Sequence, residues 1–205
     1  MEIKRIPTKG MAANSYLLVS GNEAAIVDPS APVSEVEKLL GGARVRCILL
    51  THCHYDHVLT LDETRRAFSA PLLVHEDEAD ALSDPKRSLF RTFFGMGKKF
   101  APAERLLKDG DELLLGGESI RVISTPGHTP GSVCFLADTF VVTGDTLFAE
   151  SIGRSDFPGG DRAALFRSLE KLKRLDGSLV IYPGHEDSDT LENVIKFNPY
   201  MNGEL

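Results

Sequence analysis

Residues 51–57 read Thr-His-Cys-His-Tyr-Asp-His, placing three of the chain's six histidines and an aspartate within seven positions. Packing gives no reason for such crowding, whereas imidazole is the commonest metal ligand and carboxylate its frequent companion. In an extended segment, residues i and i+2 point the same way and i+1 points opposite. His52 and His54 can therefore share one metal ion while Cys53 faces elsewhere, and Asp56 and His57 are left for a second. A seven-residue peptide cannot close such a site alone. The fold must carry this segment on a rigid element and bring further ligands to it from distant parts of the chain.

The run before it, Val-Arg-Cys-Ile-Leu-Leu (45–50), reads as a buried strand. The motif thus lies in the turn after a strand, where α/β proteins place binding residues. Upstream, residues 14–28 form two apolar runs broken at Ser20-Gly21-Asn22, a hairpin signal. Residues 32–40 set Val33, Val36, Leu39 and Leu40 at helical spacing between Pro32 and Gly41-Gly42. Downstream, residues 57–68 read as helix and 71–75 as strand. Residues 76–100 start acidic and then carry Phe90, Phe93, Phe94, Met96 and Phe100. They read as a mostly helical insert with an exposed aromatic edge, either a packed helical pair or a lid. Residues 105–143 alternate apolar runs with Gly-Asp, Gly-Gly and Ala-Asp turns. Residues 161–175 begin on Asp161 as N-cap and put Leu165, Phe166, Leu169 and Leu172 on one helical face. A strand over 178–185 and a short helix over 190–197 end the pattern. Both halves mix antiparallel strands with helices. The expected fold is α/β, two sheets face to face with helices outside, in a single domain over residues 1–205.

Three more expected strand ends carry residues of the same chemistry: His128 in Pro-Gly-His-Thr-Pro-Gly-Ser, Asp145 in Gly-Asp-Thr-Leu-Phe, and His185 in Tyr-Pro-Gly-His. Each alone is ordinary. If the strands lie side by side with ends aligned, seven side chains converge on one rim. His75 has no such company and reads as structural. Imidazoles and carboxylates without thiolate suit zinc, iron or manganese rather than a cysteine-rich structural site. Asp145, with two oxygens, can bridge. Two ions roughly 3.5–4 Å apart hold a hydroxide at neutral pH and polarise a carbonyl, which is the hydrolytic arrangement. Composition removes other classes. A net charge of −7, with no basic run longer than a pair, leaves no footprint for nucleic acid. No apolar run approaches the ~20 residues that span a bilayer. The three cysteines are too scattered for a disulfide framework. With no leader pattern at the N-terminus, the expected location is cytoplasmic. Nothing in the sequence specifies an oligomeric state.

His-x-His-x-Asp-His, the PGHTPGS histidine, the GDTLF aspartate and the PGH histidine, in this order, resemble the metallo-β-lactamase superfamily. Within it the chain looks like the short glyoxalase II-like (hydroxyacylglutathione hydrolase-like) hydrolases. The resemblance runs from Asn14 to Tyr200. It implies an αββα sandwich of two mixed β-sheets packed face to face. It implies two divalent metal ions, zinc first, with iron or manganese as alternatives. His52, His54 and His128 would hold one ion, Asp56, His57 and His185 the other, and Asp145 both, with Asp56 also catalytic. The implied activity is hydrolysis of a thioester of a 2-hydroxy acid, S-lactoylglutathione-like, by a hydroxide between the ions. A small-molecule thioester or thiol is then the expected partner. The alternatives are a persulfide dioxygenase-like oxidoreductase with one iron on His52 or His54, His128 and Asp145, or a hydrolase of another ester or lactone.

The stretch SIGRSDFPGGD (151–161) also resembles this subgroup. Arg154 and Asp156 are expected to brace the loop, with a substrate carboxylate as the other candidate partner of Arg154. There are two departures. Only residues 186–205 follow His185, so the C-terminal helical domain of full-length glyoxalase II is expected to be missing, with the insert at 76–100 as a substitute wall. Glu186-Asp187-Ser188-Asp189 stands where short relatives often carry Gly-Pro. Turned inward, those carboxylates would disfavour an anionic substrate.

Overall fold

Successive side chains of a strand point to opposite faces. In the strand Ser15–Ser20, Tyr16 and Leu18 enter one apolar core while Leu17 and Val19 pack into another. A strand apolar on both faces must be covered on both. The computed structural model, which describes residues 1–95 and 97–203, shows how. One sheet runs β1 (Glu2–Ile6), β2 (Ser15–Ser20), β3 (Glu23–Val27), β4 (Arg44–Leu49), β5 (Leu72–His75) and β6 (Arg105–Leu107). It is antiparallel up to β3 and parallel from there on. The second sheet follows the chain from β7 (Glu112–Leu115) through β8 (Glu118–Ser124), β9 (Val133–Leu136), β10 (Phe140–Gly144) and β11 (Val180–Pro183) to β12 (Asp189–Thr190). Only the β10/β11 pair is parallel.

Between the sheets, Tyr16, Leu18, Val27 and Leu49 meet Val122, Val133, Phe135 and Val142. Outside the first sheet lie α1 (Val33–Leu39) and α2 (Leu61–Phe68), which bury Val36 and Leu61 against Ile26, Ile48 and Leu72. The segment after β5 adds α3 (Phe90–Phe94) to this side. Over the second sheet, α4 (Arg162–Leu172) and α5 (Leu191–Phe197) bury Leu169, Leu172 and Val194 on Val141 and Ile181. The result is the αββα sandwich of two mixed sheets. Among the described residues, no helix is long and apolar enough to cross a membrane.

Two local expectations change, and one strand lies where the apolar pattern marks none. β1, whose polar Glu-Ile-Lys-Arg-Ile gives little apolar signal, forms because it pairs with β2 as an edge strand. The helix expected over 57–68 is broken. Tyr55–His57 is a single tight 3₁₀ turn, closed by His57 N–H on the His54 carbonyl (3.0 Å), and α2 starts only at Leu61. The insert is less helical than its composition suggests: a 3₁₀ stretch over Glu76–Leu82, turns, and the one-turn α3. Phe90 and Phe100 are buried in the outer core, whereas Phe93 and Phe94 are 47% and 40% exposed. Met96, expected on the same aromatic edge, lies outside the described residues.

The two sheets are laced together at one rim. Val133 N–H donates to the Thr51 carbonyl (3.0 Å), and Asn14 N–H to the Gly184 carbonyl (2.7 Å). β3 and β4 in one sheet and β10 and β11 in the other deliver their carboxyl ends there, which is where open α/β sheets place ligands.

Candidate metal centre

At this rim the structure brings together all seven residues singled out in the sequence. His52, His54 and His128 present nitrogens within 4.8 Å of one another, as do the ligand atoms of Asp56, His57 and His185, and those of His52, His57 and Asp145. His54 Nδ1 and His128 Nε2 are 2.9 Å apart. His185 Nε2 stands 3.1 Å from Asp56 Oδ2. Asp145 lies between the two groups, with Oδ1 3.2 Å from His57 Nε2 and Oδ2 3.5 Å from His128 Nε2. Cys53 turns away into the outer core, as the alternation of an extended segment requires.

The imidazoles are oriented from behind. A carboxylate only accepts hydrogen bonds, so Asp28, 2.8 Å from His57 Nδ1, fixes the proton on that nitrogen and leaves Nε2 facing the centre. Asp28 also accepts from Thr51 N (2.8 Å) and Thr51 Oγ1 (2.6 Å). With its one proton committed, the Thr51 hydroxyl accepts from His52 Nδ1 at 3.2 Å, and His52 Nε2 is bared as well. His128 Nδ1 donates to the Arg154 carbonyl (2.7 Å), with the same consequence. Such outer partners set ring orientation and ligand basicity in metal sites.

Loop anchors complete the frame. Asn14 Nδ2 donates to the Pro183 and Glu186 carbonyls (both 2.9 Å), and the Tyr16 hydroxyl to the Pro183 carbonyl (2.6 Å), holding the His185 turn. Buried Glu78 accepts from Cys53 N (3.0 Å) and Gly131 N (3.2 Å), tying the His52–His54 segment to the His128 turn. Gly184 is required by close approach: a Cβ there would stand 2.7 Å from His57 Cε1 and closer still to Asp145 Oδ1.

None of these anchors was singled out in the sequence. Asp28 resembles a turn residue before Pro29, and Glu78 is one carboxylate in an acidic run. The only available signal for Asp28 is its place at a strand end.

Electrostatics divide the histidines. Burial and the neighbouring imidazoles hold His52 well below the usual range, and burial with His128 brings His54 down to about 3, so both are neutral near pH 7. Burial also opposes charge on His57, but Asp145 and Asp28 outweigh it and push its pKa well up. Burial likewise opposes charge on His185, but its bond to Asp56 and the charge of Asp145 raise it. Burial acts to raise Asp145 and Asp56, yet His57 pulls Asp145 down and the His185 bond with the His57 charge pulls Asp56 down; both stay ionised.

A metal fits these residues. His52 Nε2, His57 Nε2 and Asp145 Oδ1 are buried without a hydrogen-bond partner, the 3.2 Å approach of the last two being out of line for a bond. Buried polar atoms are nearly always satisfied. Imidazole nitrogens, neutral at His52 and His54, and ionised carboxylate oxygens aimed at one space suit divalent cations such as zinc, iron or manganese.

The centre opens into a cavity of about 360 Å³ that reaches Tyr55, Phe93, Phe148, Arg154 and Phe157. Arg154 is engaged in the bracing pair: Nε and Nη2 donate to Asp156 at 2.6 and 2.7 Å, and the guanidinium stacks 3.8 Å above the Phe157 ring. The carboxylates after His185 turn away from the cavity. Glu186 binds Ser151 Oγ (2.6 Å) and Glu150 N (3.1 Å), Asp187 pairs with Arg5 (2.9 Å), and Asp189 accepts from Asn193 Nδ2 (2.9 Å). His75 is structural, bonded through Nε2 to Ser124 Oγ (2.9 Å).

Comparison with known proteins agrees with this geometry. The family model described as the metallo-beta-lactamase superfamily matches residues 8–185. A Bacillus subtilis protein named "Probable metallo-hydrolase YqgX" is 32% identical, covering 99% of each chain. The crystal structure of BLEG-1 B3 metallo-beta-lactamase superposes with a TM-score of 0.92 at 32% identity, over 98% of this chain and 100% of that one. That of TTHA1623 in a di-iron-bound form gives 0.84 at 31% identity, over 96% and 99%.

Proposed function

The chain belongs to the metallo-β-lactamase superfamily, and from that premise we propose that it is a dinuclear metal-dependent hydrolase of a thioester of a 2-hydroxy acid, S-lactoylglutathione-like. The observation that carries the reading is the pair of ligand sets joined through Asp145, with buried nitrogens and an oxygen left unpartnered. His52, His54 and His128 would hold one ion and Asp56, His57 and His185 the second, with Asp145 between the two sets. When bound, two such ions supply a nucleophile at neutral pH and polarise the scissile carbonyl.

The chain's own groups do the rest. Asp56 lines the cavity and is ionised, so it orients the attacking water and takes its proton on a carboxylate oxygen. The water oxygen forms the new C–O bond, the C–S bond breaks, and acid and thiol leave. Asp28 and the Arg154 carbonyl keep the ring protons of His57 and His128 on the side away from the reaction.

The similarity to a di-iron protein supports iron beside zinc as the occupant, and the similarity to a B3 metallo-beta-lactamase supports β-lactam hydrolysis as a second reading. Elemental mass spectrometry on protein purified without added metal tests the first reading. About two ions per chain, together with thioester cleavage abolished by chelation, is the expected result. One iron per chain with oxygen uptake on a persulfide would replace it by the dioxygenase alternative. Cleavage of β-lactams but not thioesters would favour the second reading.

A further inference from the structure

The walls of the cavity are unlike its floor. The floor is the ligand cluster. The walls are Tyr55, Leu89, Phe93, Phe148, Ile152 and Phe157, drawn from three separate stretches of chain. Their rings line both sides of the cluster. Phe157 packs edge-on to His54 at 5.8 Å and Phe148 edge-on to His185 at 6.0 Å. Phe93 joins Tyr55 to Phe157, with its centroid 4.8 Å from the first and 6.2 Å from the second. Phe93 nonetheless remains 47% exposed. An aromatic ring left half in water over a polar centre gains contact only when something apolar enters beside it.

Charge is missing from these walls. Among the described lining residues, Arg154 is the one arginine or lysine, and its guanidinium is committed to Asp156 and Phe157. An anionic substituent would find no uncommitted arginine or lysine on these walls, whereas a flat apolar one finds edges and faces of four rings.

We propose that this cavity is a subsite for an uncharged aryl group on the acyl part of the substrate, selected over a methyl group by the Tyr55–Phe93–Phe157–Phe148 wall. The inference rests on the hydrolase reading for its chemistry but on the wall for its selectivity. The thioester carbon sits over the ligand cluster, the aryl ring lies against the Phe93–Phe157 pair on the cavity side, and the thiol leaves through the open side.

The test compares two thioesters of one neutral thiol, lactoyl and its counterpart with phenyl in place of methyl, on the metal-loaded protein. It is paired with calorimetric binding of the matching ketones, in which CH₂ replaces sulfur. A kcat/KM for the phenyl substrate roughly 10–100-fold above lactoyl, and a similar ratio in ketone affinity, is expected from differences of this size in an apolar pocket. Phe93→Ala, at a half-exposed position outside the ligand cluster, should bring both ratios toward one. Turnover of both thioesters at equal kcat/KM, with equal ketone affinities, overturns the inference and leaves the hydrolase reading standing. Absence of turnover with the ketone ratio intact does the reverse, removing the hydrolase and keeping the subsite.

Discussion

Asp28→Asn changes one buried atom from acceptor to donor and should cost the centre its second ion. Asp28 accepts from the Thr51 backbone N–H through Oδ1 and from Thr51 Oγ1 and His57 Nδ1 through Oδ2. The backbone donor cannot change, so the amide oxygen must face it and the NH₂ then faces Thr51 Oγ1 and His57. A hydroxyl can rotate to accept. His57 can accept only by moving its proton to Nε2, the nitrogen directed at Asp145 and needed by the metal. The reversal also reaches His52 through the rotated Thr51 hydroxyl.

Loss of such an outer partner weakens metal binding by about 10–100-fold, or about 1.4–2.8 kcal/mol at 1.4 kcal/mol per tenfold. Stepwise competition against a chelating dye measures it. The His57-containing set should weaken by that factor and the His52–His54–His128 set by less. Asp28→Ala is the contrast: it strands three buried donors, at roughly 1–3 kcal/mol each, and should show first as a fall in Tm. Two ions bound by Asp28→Asn with unchanged affinities would refute the proton-relay argument.

Other perturbations follow from the same geometry. Because His57 and His185 have raised pKa values without metal, binding must displace their protons. Affinity should therefore rise with pH by up to about tenfold per unit per proton displaced, measured as Kd at pH 6 and pH 8. The metal-free protein should show the opposite sign. Raised histidine pKa values add stability that is complete below the unfolded value and is lost as pH rises through the folded one, so the gap in Tm between loaded and stripped protein should widen above pH 6.5. Gly184→Ala should fold and yet lose metal, since its methyl occupies the space of His57 and Asp145; elemental analysis of the variant decides. Glu78→Gln keeps one acceptor for two backbone donors, so one of Cys53 N and Gly131 N is left unpaired. A stability loss of roughly 1–3 kcal/mol by denaturant unfolding is expected.

The rim that gathers the seven residues was the most legible part of the chain. Histidine and aspartate announce their chemistry wherever they stand, and short apolar runs before His52, Asp145 and His185 marked strand ends without any knowledge of pairing. The apolar runs likewise foretold two sheets with outer helices, because a strand such as Tyr-Leu-Leu-Val has no polar face to give to water. Local detail fared worse where pairing overrides composition, as in β1, or where a loop interrupts a helical pattern, as between His57 and Leu61.

The sequence by itself singled out seven side chains of ligand type at expected strand ends and indicated that their supporting strands need cover on both faces, since residue type and periodicity are properties of short stretches. Only the tertiary structure decided that Asp28 orients His57 and His52, that Glu78 ties two ligand-bearing turns, and that Tyr55, Phe93, Phe148 and Phe157 form one wall. Those are relations between residues far apart in the chain. A carboxylate or a phenyl ring has the same appearance in sequence whether it faces water or a buried imidazole, and close packing alone fixes which neighbour it meets.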